Sequence, residues 1–559
     1  MRVLVIGGGA REHALLWKLR QSPRVSALFV SPGNAGMSQI ATCIPPPDGT
    51  DIGAFADLAE ELKVDLTIIG PENLLVDGLA DHFLARGLRV FGPTAAAAKL
   101  EGSKIWAKEI MQRVGIPTAS WREFRDAPAA KAHASELGWR CVVKADGLAA
   151  GKGSFVCTSE GEVDAALEVL LGEKRFGDKP ILVEELLDGQ EVSVFAVSDG
   201  RTVVPFGAAQ DHKRAGENDE GPNTGGMGAY SPVNHMVVAQ GFAESFFEPI
   251  VSALSSLGTP FVGVLYAGAI VTDQGPKILE FNCRFGDPEA EVLLSRLDDD
   301  LADLLWSATS GDLHKRGALK WKTQDALCVV IATQSYPREG DFGTPISGVE
   351  EAQQVPDVFV FHAGTDRDPT TGELVTNGGR ILTVTALGGS LDEARTRAYQ
   401  AVDKIDFAGK YYRRDIATKA TGTMWEAFGS EWRKPPNWEL RMMQISRAIG
   451  EVASGLERLQ LEASHEGSTE LQSLRDRLYE IKLKLHSSRG DTRTESRRPS
   501  ASIDTSPVKG LSKLSAEFDA MFERMQTLKA RQAVDAAFRA SPSDYDAIIA
   551  SREVHGKRE

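Results

Sequence analysis

The sequence predicts an α/β protein: an N-terminal parallel sheet of Rossmann-like character, then β-rich layers, then a helical extension. Three observations carry this. Apolar strand patterns such as RVLVI, ALFVS and VDLTIIG alternate with helical segments over the first hundred residues, an order that demands parallel strands joined by crossovers. Further on, WRCVVKADGLAAGKGSFV and PFVGVLYAGAIVTDQGPKILEFNCRF read as strands joined by glycine-rich turns. From Ser430 onward the composition changes and apolar residues recur at heptad-like steps.

At 559 residues the chain has room for several domains. With 42% hydrophobic and 25% charged residues it falls among globular proteins rather than disordered ones. No apolar run approaches the ~20 residues of a membrane span, and MRVLVIGGG turns glycine-rich too early for a signal peptide. Cys43, Cys141, Cys157, Cys283 and Cys328 form no CxxC pair, so neither a disulfide framework nor a zinc site is expected, and a cytoplasmic location is. A net charge of −15 argues against nucleic acid as a partner. From Ser430 onward 20 acidic and 22 basic residues nearly balance, so the acidity lies before that point and marks a boundary near 430.

The first strand runs into Gly7-Gly8-Gly9 and the helix AREHALLWKLRQS, which together form an anion site. It fails the dinucleotide fingerprint, because Glu12 stands where the third glycine belongs. Ligands of a parallel sheet gather at the strand C-terminal ends, so Gly9, Asn34, Gly36 and Glu72 are candidates to line one crevice; ordinary turn chemistry is the alternative at each. Lys104 opens a helix running through Met111, and Lys144 sits on a strand before the glycine loop 147–153. That loop holds Gly151, Lys152 and Gly153. It is not a Walker A loop, yet its backbone N–H groups and Lys152 can close over a triphosphate. Glu184, Glu185 and Glu191 follow on or between strands. The long polar loop 208–232 has the length of a functional segment, and its cluster Asp211-His212-Lys213-Arg214 is placed to hold a substrate phosphate. His212 is read as structural.

The stretch 260–290 reads as a hairpin whose second strand carries Glu280, Asn282 and Arg284. Residues two apart share a face, about 7 Å from one to the next. A carboxylate beside an amide oxygen suits Mg²⁺, which takes few protein oxygens and completes its shell with water and phosphate. Arg284 beside them suits an anion. The alternative is a solvated polar strand face.

Together these motifs resemble the glycinamide ribonucleotide synthetase (phosphoribosylamine–glycine ligase) family of the ATP-grasp superfamily. The resemblance is carried by GGGAREHA, SPGNAG, LTIIGPE, FGPT, LEGSK, VVKADGLAAGKG, VEELLDG, QDHKR, GPNTGGMGAYSP, EFNCRFGDPE, FHAGT and VTNGGRIL, in family order over about residues 1–428. It implies ATP-dependent joining of glycine to 5-phosphoribosylamine through a glycyl phosphate. It implies Mg²⁺ (or Mn²⁺) on Glu280 and Asn282. ATP lies between two small β-rich layers, near Lys104, Lys144, Gly151, Lys152, Gly153 and Glu191, with Glu184, Glu185 and Leu187 in the segment at the adenine. Arg284, Lys213 and Asp287 are assigned to catalysis. Gly9, Asn34, Gly36, Glu72, Asp211, Lys213, Asn223, Thr224, Gly225, Gly226 and Met227 are assigned to substrate. The implied domains are 1–101; 102–310, with a lid subdomain at about 118–187; and 318–428. Departures are few: GGGAREH, GNAGM and GPENLL stand for the more usual GNGGREH, GNAGT and GPEAPL. The alternatives are an ATP-grasp ligase with another acceptor, or an inactive scaffold serving the tail.

That tail, 430–559, reads as helix. Ile445, Ile449, Val452, Leu456 and Leu459 form one seam, and Leu471, Leu474, Leu478, Ile481 and Leu485 a second. Residues 487–507 read as a polar, disordered linker before a third seam. Seams this short need another helix to cover them, so the expectation is packing on one another or on the ligase surface, with self-association or docking of a protein partner as the sharper alternative.

Overall fold

The structure is a computed structural model that describes residues 1–47, 51–149, 152–233 and 241–421. The chain divides into two units, Met1–Gly429 and Ser430–Glu559, and the described residues all belong to the first. The expected tail helices and linker, and Gly151 of the glycine loop, lie outside them.

The N-terminal strands β1 (Arg2–Gly7), β2 (Ala27–Pro32), β3 (Thr42–Cys43), β4 (Leu66–Ile69) and β5 (Val90–Phe91) form the predicted parallel sheet, in the order β3-β2-β1-β4-β5. β1 is apolar from Val3 to Ile6 because both its faces are covered. Val3 and Val5 pack under the helix Ala10–Leu19, whereas Leu4 and Ile6 meet Phe55 and Phe83 on the other face.

A small antiparallel sheet follows, built from β6 (Trp121–Phe124), β7 (Cys141–Ala145), β8 (Ser154–Cys157) and β9 (Ile181–Glu185) in the order β6-β9-β7-β8. The helices Ala127–Glu136 and Glu160–Leu167 share its apolar core through Ala130, Ala134, Val163 and Ala166.

The largest sheet runs from the middle of the chain into its C-terminal part. Its members are β10 (Gln190–Asp199), β11 (Val203–Asp211), β12 (Gly228–Ser231), β13 (Val262–Thr272), β14 (Gly275–Asn282) and β15 (Asp325–Thr333), with three of the later strands. Those later strands are β16 (Asp341–Pro345), β17 (Val358–His362), β18 (Thr365–Arg367), β19 (Leu374–Gly378), β20 (Arg380–Gly388) and β21 (Lys410–Tyr411). The order is β14-β13-β10-β11-β12-β15-β20-β17, with β21 paired to β15; β16, β19 and β18 form a separate small sheet. The β12–β15 pairing, Gly228↔Val329 through Ser231↔Ala326, makes one sheet continuous across the expected start of the C-terminal domain.

The 260–290 hairpin forms as read, with one difference. β14 ends at Asn282, so Arg284 lies two residues beyond the strand. The reason is a tertiary contact: the Cys283 N–H donates to the Glu101 carboxylate at 2.7 Å instead of to a sheet partner. No helix among the described residues is long and apolar enough to cross a membrane.

Candidate active site

The carboxyl ends of β1 and β4 meet the segment after β14, and charged side chains crowd the junction. Gly9 caps the helix Ala10–Leu19, and its N–H donates to Glu12 Oε2 at 2.7 Å. Glu12 is 2% exposed, and a Cβ on Gly7 would lie 2.6 Å from its Cδ. Its carboxylate therefore takes the helix N-terminus that a dinucleotide phosphate would need. Arg11 balances it through Nε at 2.6 Å and donates to the Phe285 carbonyl at 3.0 Å.

Glu72, at the start of a short helix after β4, pairs with Arg284 at 3.1 Å. Arg284 also reaches Glu101 at 3.2 Å, from the LEGSK motif. Glu101 accepts from both the N–H and the thiol of Cys283. Burial alone would raise Glu72, but Arg284 and Arg11 outweigh it and hold the carboxyl at about 2. Asn34 is spent on backbone: its amide donates to the carbonyls of Gly8 and His362, and its oxygen accepts from the Gly36 and Met37 N–H groups. Gly36 lies beneath the rings of His362 and His13, where no side chain fits.

Glu280 and Asn282 stand opposite Gly268 and Tyr266 on β13, two residues apart on one strand. Burial pushes the Glu280 carboxyl up, but Lys213, Lys144, Lys104 and Arg284 together hold it below the usual carboxylate range. Among the described residues neither the Glu280 carboxylate nor the Asn282 amide makes a side-chain hydrogen bond, so both oxygens remain available as ligands. No group of three or more His, Cys, Asp or Glu there can hold a metal. An ionised carboxylate with one amide oxygen fits a hard divalent cation that takes most of its shell from water and phosphate, and does not fit a zinc-type cage.

The lysines come from three elements. Lys104 begins the helix Lys104–Arg113, capped by Ser103, and donates to the Gly147 carbonyl at 2.8 Å. Lys144, on β7, pairs with Glu184 on β9 at 2.9 Å, and Lys108 lies 3.3 Å from the other Glu184 oxygen. Glu184 thus holds two cations on a buried site. Glu185 accepts from the Ser120 N–H at 2.9 Å, Leu187 follows the end of β9, and Gly153 precedes β8. Lys152 donates to the Pro337 carbonyl at 3.0 Å.

Lys213 lies 3.4 Å from Glu191. Asp211 ends β11, and burial raises it to about 7 against the pull of Lys213. His212 is lowered to about 4 by burial and accepts from the Ala417 N–H at 3.2 Å. Asn223 pairs with Arg214 in an isolated bridge. Thr224 bonds the Lys213 carbonyl through both its N–H and its hydroxyl, and the Met227 N–H donates to the His212 carbonyl. Glu289, three residues past the Gly286 turn, accepts from Ser193 and Tyr266.

Members of this cluster that escaped the sequence reading include Arg11, Glu101, Lys108 and Glu289, together with Tyr336 and Arg380, which bond Gly225. Glu101, Glu289 and Arg380 belong to motifs that were recognised, LEGSK, EFNCRFGDPE and VTNGGRIL. Nothing local in the sequence marks Lys108 or Tyr336.

Sequence models of phosphoribosylglycinamide synthetase match in chain order: the N domain over residues 1–101, the ATP-grasp (A) domain over 102–290 and the C domain over 326–419. The phosphoribosylamine–glycine ligase of Mesorhizobium japonicum is 46% identical over 424 residues, covering 75% of this chain and 98% of the relative. That of Escherichia coli O157:H7 is 46% identical over 426 residues, covering 75% and 99%. The crystal structure of the Thermotoga maritima ligase matches at a TM-score of 0.65 and 32% identity, covering 75% of this chain and 100% of that one. The fold alone is shared with the biotin carboxylase domain of the Hydrogenobacter thermophilus 2-oxoglutarate carboxylase, at a TM-score of 0.56 and 16% identity over 75% and 97% of the two chains.

Proposed function

This chain belongs to the phosphoribosylglycinamide synthetase family of ATP-dependent, ATP-grasp ligases, and from that premise we propose that its reaction centres on Glu280, Asn282 and the cations around them. It is a ligase of purine biosynthesis: glycine, 5-phosphoribosylamine and ATP give glycinamide ribonucleotide, ADP and phosphate. The observation that carries the residue assignment is one partly buried carboxylate, Glu280, held below the usual carboxylate range by Lys213, Lys144, Lys104 and Arg284.

The glycine carboxylate is a poor acceptor for an amine, and transfer of the ATP γ-phosphoryl to it makes a glycyl phosphate that the amine can displace. The chain's part is positioning and charge neutralisation. Lys104 and Lys144 lie on the ATP side of Glu280 and offset phosphate charge. Lys213, with Asp211 and the loop 223–227, faces the substrates. Gly9, Gly36 and Glu72 line the crevice, with Asn34 shaping its wall. Arg284 holds its place through Glu72 and Glu101, and Asp287 through Arg380. The segment 183–187 contacts adenine, and Glu191, Lys152 and Gly153 contact the nucleotide, with Gly151 assigned beside them. The family uses a divalent metal; Glu280 and Asn282 would hold Mg²⁺ or Mn²⁺, which would supply neutralisation of phosphate charge.

The divisions 1–101, 102–310 and 318–428 are our proposed domains, supported by family matches over 1–101, 102–290 and 326–419. A cytoplasmic location accords with five free cysteines. The extension beyond 430 is the part we assign to self-association or partner docking; light scattering on the full chain and on one truncated after Gly429 tests it, and equal subunit numbers would remove self-association.

The test of the reaction is ADP release with glycine and phosphoribosylamine each omitted in turn. Release should require glycine, and full turnover should require both. Release that ignores glycine would refute the reading.

A further inference from the structure

The C-terminal part of the chain reaches the catalytic cluster through Arg380 and Tyr336. Arg380 opens β20 after the tight Gly378 and Gly379 turn. Its Nη1 donates to the carbonyls of Gly225 at 3.0 Å, Gly226 at 3.4 Å and Asp287 at 2.9 Å. Its Nη2 pairs with the Asp287 carboxylate at 3.0 Å. The Tyr336 hydroxyl accepts from the Gly225 N–H at 2.9 Å. The ring lies so close to Gly379 that a Cβ there would meet it at 2.6 Å.

The loop they grip is anchored at its two ends, where Thr224 bonds the Lys213 carbonyl and the Met227 N–H donates to the His212 carbonyl. Gly226 has φ +119°, a conformation that favours glycine, and a Cβ on it would collide with Pro288. Within the loop, the Gly226 N–H donates to the Thr224 hydroxyl at 3.0 Å. The remaining side-chain hydrogen bonds on Gly225 and Gly226 come from Tyr336 and Arg380. Only a planar guanidinium presents donors in a fork that serves several carbonyls and a carboxylate at once; an ammonium does not.

We infer that Arg380, supported by Tyr336, is a positioning residue for the acceptor step: it sets the loop 224–226 against Asp287 and so fixes where the phosphoribosylamine sits relative to the activated glycine. This rests on the ligase reading above. Lys104 and Lys144, on the ATP side, lie on other elements and make no hydrogen bond to Arg380. The glycine loop is linked to this region by Lys152, which donates to the Pro337 carbonyl beside Tyr336, so the kinetic split between ATP and acceptor is what the test must read. Misplacing a reactant by about 1 Å costs on the order of 100-fold in rate.

The test uses the full chain. Arg380→Ala should lower kcat/KM for phosphoribosylamine by about 100-fold, leave KM for ATP within about twofold, and regain at least about tenfold with methylguanidinium in the buffer. Tyr336→Phe removes one acceptor and should lower the same parameter by roughly 5- to 10-fold. A loss shared equally by ATP and acceptor parameters, without rescue, would reduce Arg380 to a fold residue and overturn the inference. So would unchanged acceptor kinetics in Tyr336→Phe, which decides alone if Arg380→Ala does not fold. An unaltered chain without ligation would instead defeat the ligase reading, and this inference with it.

Discussion

Glu72→Gln isolates the charge that anchors Arg284. Glutamine keeps the shape and can still accept at 3.1 Å, so the change reads charge rather than packing. Arg284 and Arg11, against the cost of burial, carry Glu72 from 4.5 to about 2. At 1.36 kcal/mol per pH unit that is about 3 kcal/mol of stability. The side chain is 27% exposed, and solvent screening brings this to about 2 kcal/mol. The folded value is depressed, so the contribution is complete above pH 4.5 and drains as pH falls toward 2. By pH 4 about a quarter is gone, because the unfolded carboxyl is already mostly protonated. Urea unfolding of parent and variant should thus show a gap of about 2 kcal/mol at pH 7.5, shrinking to about 1.5 kcal/mol at pH 4. A gap under about 0.5 kcal/mol at pH 7.5, or one that widens in acid, would refute the network reasoning.

Glu280→Ala should abolish ligation, with Asn282→Ala also severe, because no neighbour on β14 can replace either oxygen; ADP formation titrated against Mg²⁺ checks it, and normal turnover at low Mg²⁺ would sink the metal assignment. Gly226→Ala should cut turnover by at least about tenfold, since a side chain there must push Pro288 aside; steady-state kinetics decide, and parent-like rates would show that the loop adjusts freely. Burial lowers Lys108 from 10.5 to about 8, against the pull of Glu184. Between those values the unfolded chain binds more protons, so this group makes stability climb with pH. Lys108→Met should flatten that climb, read as Tm at pH 8 and pH 10, and an unchanged slope would count against it.

Several features of this protein are decided within short stretches of chain. An unbroken apolar run ending in glycines makes β1 and its turn, because both strand faces are to be covered and the chain must then bend. The period of two puts Glu280 and Asn282 on one strand side whatever surrounds them. Lys104 at a helix start and Lys144 on a strand are local in the same sense. Motif order over the first three-quarters of the chain was enough to mark the family. Tertiary structure decided the partners. Arg284 reads as a free anion ligand, yet it pairs with Glu72 from 212 residues away. Asn34 reads as a crevice residue, yet its amide binds a carbonyl 328 residues on. Arg380 grips a loop 155 residues upstream, and Lys108 shares Glu184 with Lys144 across two elements. Periodicity and turn chemistry act over a few residues, so they can say which side of a strand or helix a charge occupies. Which opposite charge it meets, and how far burial moves it, depends on sheet order and on which loops the folded chain brings together.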